Sequence, residues 1–290
     1  MQFASRIKAM SRPLASMLLF LLATAWVQSA IAQAPKTGPG PQPKMPMQIK
    51  PDPRAQQRSY HFKEADKDMP FVLYVSSKVS KDKKNPLIIA LHGMGGDANF
   101  IVRDRLIDLA EENGYIVAGP MGYNVTGWYG SPVISMNKAP VDPPNLTELS
   151  EKDVMNVLEM MRKEFNVDND RTYLLGHSMG GAGALFLGSK YASEWAAIAA
   201  IAPAAFKMLN ERKEYLGKLK DAHIPAIMVQ GDQDTVVPPT YARQWVDSMK
   251  EIGMTYKYVE IPGGDHGTVI GDGMPDIFKF FAEHSKFKTK

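Results

Sequence analysis

Tyr173-Leu174-Leu175-Gly176-His177-Ser178-Met179-Gly180-Gly181-Ala182-Gly183 is the stretch on which the fold of this chain turns. It reads as a short apolar strand, a sharp turn carrying one serine, and the start of a helix of small residues. Gly176 and Gly180 stand two residues either side of Ser178. A side chain at either position would meet neighbouring backbone in so tight a turn, which is why glycine suits both. A serine held at the tip of a strand is a candidate nucleophile. The helix that follows points its N-terminus at that serine and favours negative charge developing there.

The same alternation extends in both directions. Met69–Val75 reads as an early strand, and the lysine-rich run from Lys78 to Asn85 as a solvated turn. Pro86-Leu87-Ile88-Ile89-Ala90-Leu91 is a continuous apolar run, as in a strand buried on both faces. It ends in His92-Gly93-Met94-Gly95-Gly96-Asp97, followed by a helix predicted from about Asn99 to Glu112 and a strand over Tyr115–Gly119. Pro120 to Pro144 then reads as a long irregular excursion, of the kind that forms lids or binding walls. A helix is predicted from Thr147 to Phe165 and a strand from Arg171 to Leu175. Beyond Ser178 come strands over Ala196–Ala202, Pro225–Gln230 and Tyr256–Ile261. Helices fall near Asn210–Lys220 and Tyr241–Ile252, with a last one from about Pro275. Strands and helices alternating at these lengths imply an α/β fold: a mostly parallel sheet flanked by helices.

The chain has 290 residues, 44% of them hydrophobic, enough for one sizeable core. Residues 1–32 have the layout of a secretory signal peptide. Arg6, Lys8 and Arg12 precede an apolar run from Leu14 to Val27, and Ala30-Ile31-Ala32 offers a cleavage site after Ala32. That run is shorter than the ~20 residues of a spanning helix, so cleavage, with no stable membrane anchor afterwards, is the expectation. The protein is then secreted or periplasmic. Without those three basic residues, 31 basic side chains face 31 acidic ones, which gives no reason to invoke nucleic acid. Residues 33–59 are rich in Pro, Gln and Lys and read as an extended linker. Residues 60–290 read as the catalytic domain. The absence of cysteine excludes disulfides, cysteine nucleophiles and thiolate metal sites.

Serine hydrolysis needs a hydroxyl, a histidine base, a carboxylate to orient it and amides to hold the oxyanion. Each candidate falls in a loop after a predicted strand, the edge at which open parallel sheets bind ligands. Ser178 is the nucleophile, Asp234 in Gly231-Asp232-Gln233-Asp234 the acid and His266 in Gly263-Gly264-Asp265-His266-Gly267 the base. Asp232 is the rival acid, leaving the strand end on a different vector. Asp265 adjoins His266 too closely to orient its ring. His177 is expected to point away and pack or donate a hydrogen bond, and His92 to bond structurally. The oxyanion hole should combine the amide of Met179 with that of Met94, or alternatively Gly95. No metal-ligand spacing is present, the glycine loop is no phosphate loop, and no cofactor is expected.

The Leu91–Asp97 loop, Gly127-Trp128-Tyr129-Gly130, the serine turn, the Gly231–Pro238 loop and Asp265-His266-Gly267 resemble the α/β-hydrolase superfamily. Within it they are most similar to exported esterases of the polyhydroxybutyrate-depolymerase and feruloyl-esterase type, including proteins described as prolyl-oligopeptidase-family or dienelactone-hydrolase-like. The resemblance covers about Tyr60 to the C-terminus. It implies the triad Ser178, Asp234 and His266, the oxyanion amides of Met94 and Met179, and Trp128 and Tyr129 lining the substrate cleft. These two rings could equally anchor a long loop onto the core. Secreted depolymerases often carry cysteines and a binding module, and this chain has neither. The expected activity is hydrolysis of a small-molecule or oligomeric carboxylic ester. The alternatives are a peptidase using the same machinery and a non-catalytic binding protein.

Overall fold

The computed structural model describes residues 49–134 and 140–286. The expected signal peptide, most of the linker and positions 135–139 of the irregular excursion lie outside the described residues.

Eight strands form one sheet in the order β1-β2-β4-β3-β5-β6-β7-β8. They are β1 (Gln56–Phe62), β2 (Lys67–Val75), β3 (Asn85–Leu91), β4 (Ile116–Pro120), β5 (Val167–His177), β6 (Ala197–Ile201), β7 (Ala226–Gly231) and β8 (Tyr256–Ile261). β2 runs antiparallel to both β1 and β4, and the remaining pairs are parallel. The expected mostly parallel sheet is therefore present, with an antiparallel edge.

The continuous apolar runs make sense from the two layers over this sheet. Along β3, Leu87, Ile89 and Leu91 enter one core while Ile88 and Ala90 enter the other. Successive side chains point to opposite faces, so a strand covered on both must be apolar throughout. One face is covered by α3 (Leu146–Glu164), α4 (Met179–Lys190), α5 (Arg212–Asp221) and α6 (Pro239–Glu251), through Leu158, Leu185, Leu216 and Trp245. The other is covered by α1 (Ala98–Ile101), α2 (Asp104–Asn113) and α7 (Thr268–Glu283), through Ile101, Leu106 and Ile277.

Three elements depart from the expectation. β1 begins inside the stretch read as linker and ends in the expected domain. Its residues Gln57, Arg58 and Ser59 carry no apolar alternation, because an edge strand needs only backbone pairing and one anchoring face. The chain is tied down still earlier, where Asp52 accepts from the Arg54 guanidinium and from the Asp104 amide. The helix expected from Asn99 is two helices, broken at Val102 and Arg103, and that Asp104 amide bonds Asp52 instead of a preceding turn. α7 begins at Thr268 and passes through Pro275. Proline removes a helical hydrogen bond and costs about 3 kcal/mol. Val269, Met274, Ile277, Phe278, Phe280 and Phe281 are all buried along this helix, and that packing outweighs the loss.

Candidate active site

β5 delivers Ser178 at its C-terminal end, and α4 starts at the next residue. Ser178 has φ 55° and ψ −112°, a strained combination for a residue with a side chain. Its amide donates to the Ile201 carbonyl at 2.9 Å, and its carbonyl accepts from Ala182 and Ala204. These bonds hold the turn against the neighbouring strand. A Cβ on Gly176 would lie 1.9 Å from the Gly180 oxygen, and one on Gly180 would lie 2.3 Å from the Leu91 oxygen. Both glycines are thus required by close approach, as the sequence suggested.

The loops after β7 and β8 complete the arrangement. His266 Nε2 lies 3.0 Å from Ser178 Oγ, and His266 Nδ1 lies 2.7 Å from Asp234 Oδ2. An ionised carboxylate only accepts, so Nδ1 carries the proton and the Nε2 lone pair faces the serine hydroxyl. Asp234 is buried, and its Oδ1 accepts from the amides of Val236 at 2.9 Å and Val237 at 2.8 Å. Gln230 Nε2 adds a bond to Oδ2 at 3.1 Å and another to the Val237 carbonyl at 3.0 Å. Sequence reasoning missed Gln230; the signal was a polar residue closing the apolar strand Ala226–Val229. The rival Asp232 faces away and accepts from the Gly263 amide at 2.7 Å. Asp265 accepts from the amides of Gly267 and Thr268 at the start of α7, and those bonds, Thr268 foremost, hold its carboxyl below the usual range.

The Leu91–Asp97 loop lies beside the serine, for a Cβ on Gly93 would come within 3.5 Å of Ser178 Cβ. The Gly95 amide donates to the Val125 carbonyl at 2.8 Å and is thereby occupied. Among the described residues the Met94 amide has no partner. Met179 opens α4, where a helix leaves its first amides unpaired. Among the described residues the Met94 and Met179 amides are thus both without a partner, and the 12-residue helix α4 points its positive end at Ser178.

His92 is fully buried, with Nδ1 2.8 Å from the Gly93 carbonyl and Nε2 2.9 Å from the Met121 carbonyl. Burial pushes its pKa down, and a neutral ring donates to only one of these two carbonyls, so the contacts are structural. Trp128 and Tyr129, expected either to line the cleft or to anchor the long loop, are both inside the core, at 3% and 0% exposure. The Tyr129 hydroxyl accepts from the His92 amide at 3.1 Å and donates to the His92 carbonyl at 3.3 Å. Its own amide donates to Ser150 on α3 at 3.0 Å. Trp128, Tyr129 and Gly130 all have positive φ (58°, 51° and 85°), so strained backbone brings Tyr129 to the base of the Leu91–Asp97 loop. Asp153 on α3 braces the same excursion, accepting from the Gly122 amide and from Tyr60 Oη at 2.7 Å each.

A parallel sheet with a strained serine turn between β5 and α4, and candidate partners in loops at the same sheet edge, defines an α/β-hydrolase fold. The chain matches the Esterase family over residues 63–251, well over half its length, and belongs to that family. It is 32% identical over 116 residues to the bifunctional acetylxylan esterase/xylanase XynS20E of Neocallimastix patriciarum, covering 40% of this chain and 15% of that protein. It is 31% identical over 112 residues to feruloyl esterase B of Neurospora crassa, covering 37% of this chain and 35% of that protein. The matches thus span well under two thirds of these relatives' length. Among solved structures, an S-formylglutathione hydrolase from Agrobacterium tumefaciens aligns with a TM-score of 0.63 at 19% identity, covering 79% of this chain and 94% of that one. At that identity the likeness is one of fold. The family drawn from the motifs is therefore borne out.

Proposed function

We propose that the protein is an exported serine hydrolase acting on carboxylic esters through Ser178, His266 and Asp234. The observation that carries this reading is the unbroken hydrogen-bond chain from Ser178 Oγ through the His266 ring to buried Asp234, at 3.0 and 2.7 Å. Ser178 Oγ attacks the ester carbonyl carbon while His266 Nε2 takes its proton. The carbonyl oxygen gains the negative charge, and the Met94 and Met179 amides donate to it. The intermediate collapses with cleavage of the bond to the leaving oxygen. His266 returns its proton to that oxygen, and the alcohol departs. Water then attacks the acyl-serine with His266 again as base, giving the acid and free Ser178. Asp234 keeps the base in the Nδ1–H tautomer throughout.

Membership of the Esterase family and the two esterase relatives support this choice of substrate class. A panel of acyl esters of varied chain length, with feruloyl and polyester substrates, tests it against Ser178→Ala. The native protein should hydrolyse at least one ester and be labelled by a fluorophosphonate, and the variant should do neither. A folded native protein that neither labels nor turns over any ester would refute the reading. Export follows from the leader; mass measurement of the mature protein should place its first residue at Gln33.

A further inference from the structure

His177 is the last residue of β5 and directly precedes Ser178, and its ring is buried, at 2% exposure, beside His266. Three observations give it a definite job. Its Nε2 lies 2.8 Å from the His266 carbonyl oxygen, which can only accept, so Nε2 carries the proton. Among the described residues this is the one bond to the main chain of His266; neighbouring bonds grip Gly264 before it and Asp265, Gly267 and Thr268 around it. The other ring nitrogen, Nδ1, is buried without a partner and faces Gly93, where a Cβ would stand 3.0 Å away. The ring is thus wedged among the nucleophile turn, the base loop and the oxyanion loop. Phe100 stacks on it at 5.6 Å, and the His266 ring lies 4.7 Å away.

We propose that His177 is a positioning residue: its Nε2–H grips the His266 carbonyl and so holds the base within reach of Ser178 Oγ, as a ring that stays neutral. The role rests on the triad reading above. A base displaced by about 1 Å can lose on the order of 100-fold in rate, so one backbone tether at this point has leverage. Neutrality matters as much as reach. The ionisable groups facing His177 are His266 and Asp234. A proton on His177 would oppose the imidazolium that His266 becomes during turnover. Burial first, and the His266 charge second, push the His177 pKa down to about 3, and the partnerless Nδ1 has no acceptor for a second proton.

The test compares native protein with His177→Gln, which keeps a donor, and with His177→Phe and His177→Leu, which do not. A p-nitrophenyl acyl ester that the native enzyme cleaves is the substrate, with thermal midpoints measured alongside. The donorless variants should lose roughly 10- to 100-fold in kcat with KM changed less than about 3-fold, and fluorophosphonate labelling should slow in parallel. His177→Gln should recover to within about 5-fold of native. A folded His177→Phe or His177→Leu variant within 2-fold of native kcat overturns the role, and so does a folded Gln variant as slow as the donorless ones. Imidazole NMR of the native protein tests it without substitution. It should report the neutral Nε2–H tautomer for His177 from pH 5 to 9, and a titration in that range or an Nδ1–H tautomer overturns the proposal. A native protein inert to every ester and to the fluorophosphonate refutes the triad reading itself and the positioning role with it, which separates the two failures.

Discussion

At the scale of single residues, the acid is the instructive case. Asp232 and Asp234 are two positions apart in a polar loop, and both have hydrogen-bonding work. Asp232 secures the Gly263 amide at the half-exposed rim, while Asp234 sinks into the core with four donors around it, counting His266. Asp234→Asn should lower kcat/KM by on the order of 10⁴, because an amide no longer enforces the Nδ1–H tautomer. Asp232→Asn should stay within about 5-fold of native, its oxygen still accepting from Gly263. Equal losses in the two variants, read from ester hydrolysis at one pH, would place the acid wrongly. Asp153 is a second buried carboxylate, and its chemistry is different. Desolvation is the main cause that raises its pKa to about 6 from 3.8. The folded state therefore holds its proton more tightly, and stability is lost as pH rises from about 4 through 6. The expected loss is on the order of 3 kcal/mol. Urea midpoints of native protein and Asp153→Asn, compared at pH 4 and pH 7, should diverge in that direction. A difference that stays constant with pH counts against the shift.

At the scale of elements, the turn between β5 and α4 is held by absent side chains. Gly176→Ala should destabilise the protein by at least about 3 kcal/mol, because its Cβ meets the rigid Gly180 carbonyl and the turn must open. Gly217→Ala in α5 is the contrasting case. Nothing lies within 4 Å of a Cβ there, and alanine should add about 0.5–1 kcal/mol of stability through helix propensity. Thermal or urea unfolding of the two variants distinguishes a glycine used for space from one that is merely tolerated. The same logic explains the Gly127–Gly130 segment. Its strain is maintained because Tyr129 ends on both main-chain groups of His92, at the root of the loop that carries the free Met94 amide.

At the scale of the whole molecule, the sheet separates two cores that share no side chains. Leu158 on α3 belongs to one and Ile277 on α7 to the other. Each replaced by alanine should cost about 2–5 kcal/mol. The double variant should equal the sum to within about 0.5 kcal/mol, because the cavities have no common neighbours. Calorimetry or urea titration showing strong coupling would mean the two layers communicate through the sheet. This construction also sets the site. β3, β5, β7 and β8 are parallel, so their C-terminal ends share one edge, and there the Leu91–Asp97 loop, Ser178, Asp234 and His266 meet from stretches as far apart in the chain as Leu91 and His266.

Much of this was written in the chain. Apolar runs covered on both faces need an unbroken pattern, and glycines packed against backbone admit no substitute, so β3, β5, β7 and the serine turn were legible from residue type alone. A serine, an aspartate and a histidine in that order were legible as candidates because each follows a predicted strand. Other features depend on partners distant in sequence. The first half of β1 has no apolar signature because its pairing with β2 is made by backbone, and α7 runs through Pro275 because packing on the sheet outweighs a lost hydrogen bond. Tyr129 could be read equally as cleft wall or anchor until its hydroxyl was seen on His92. Sequence by itself determined which residues could do chemistry and on what kind of scaffold. Only the tertiary structure decided which aspartate reaches His266, which amides stay free, and that His177 meets the His266 carbonyl, because each is set by contacts across the sheet edge and not by local pattern.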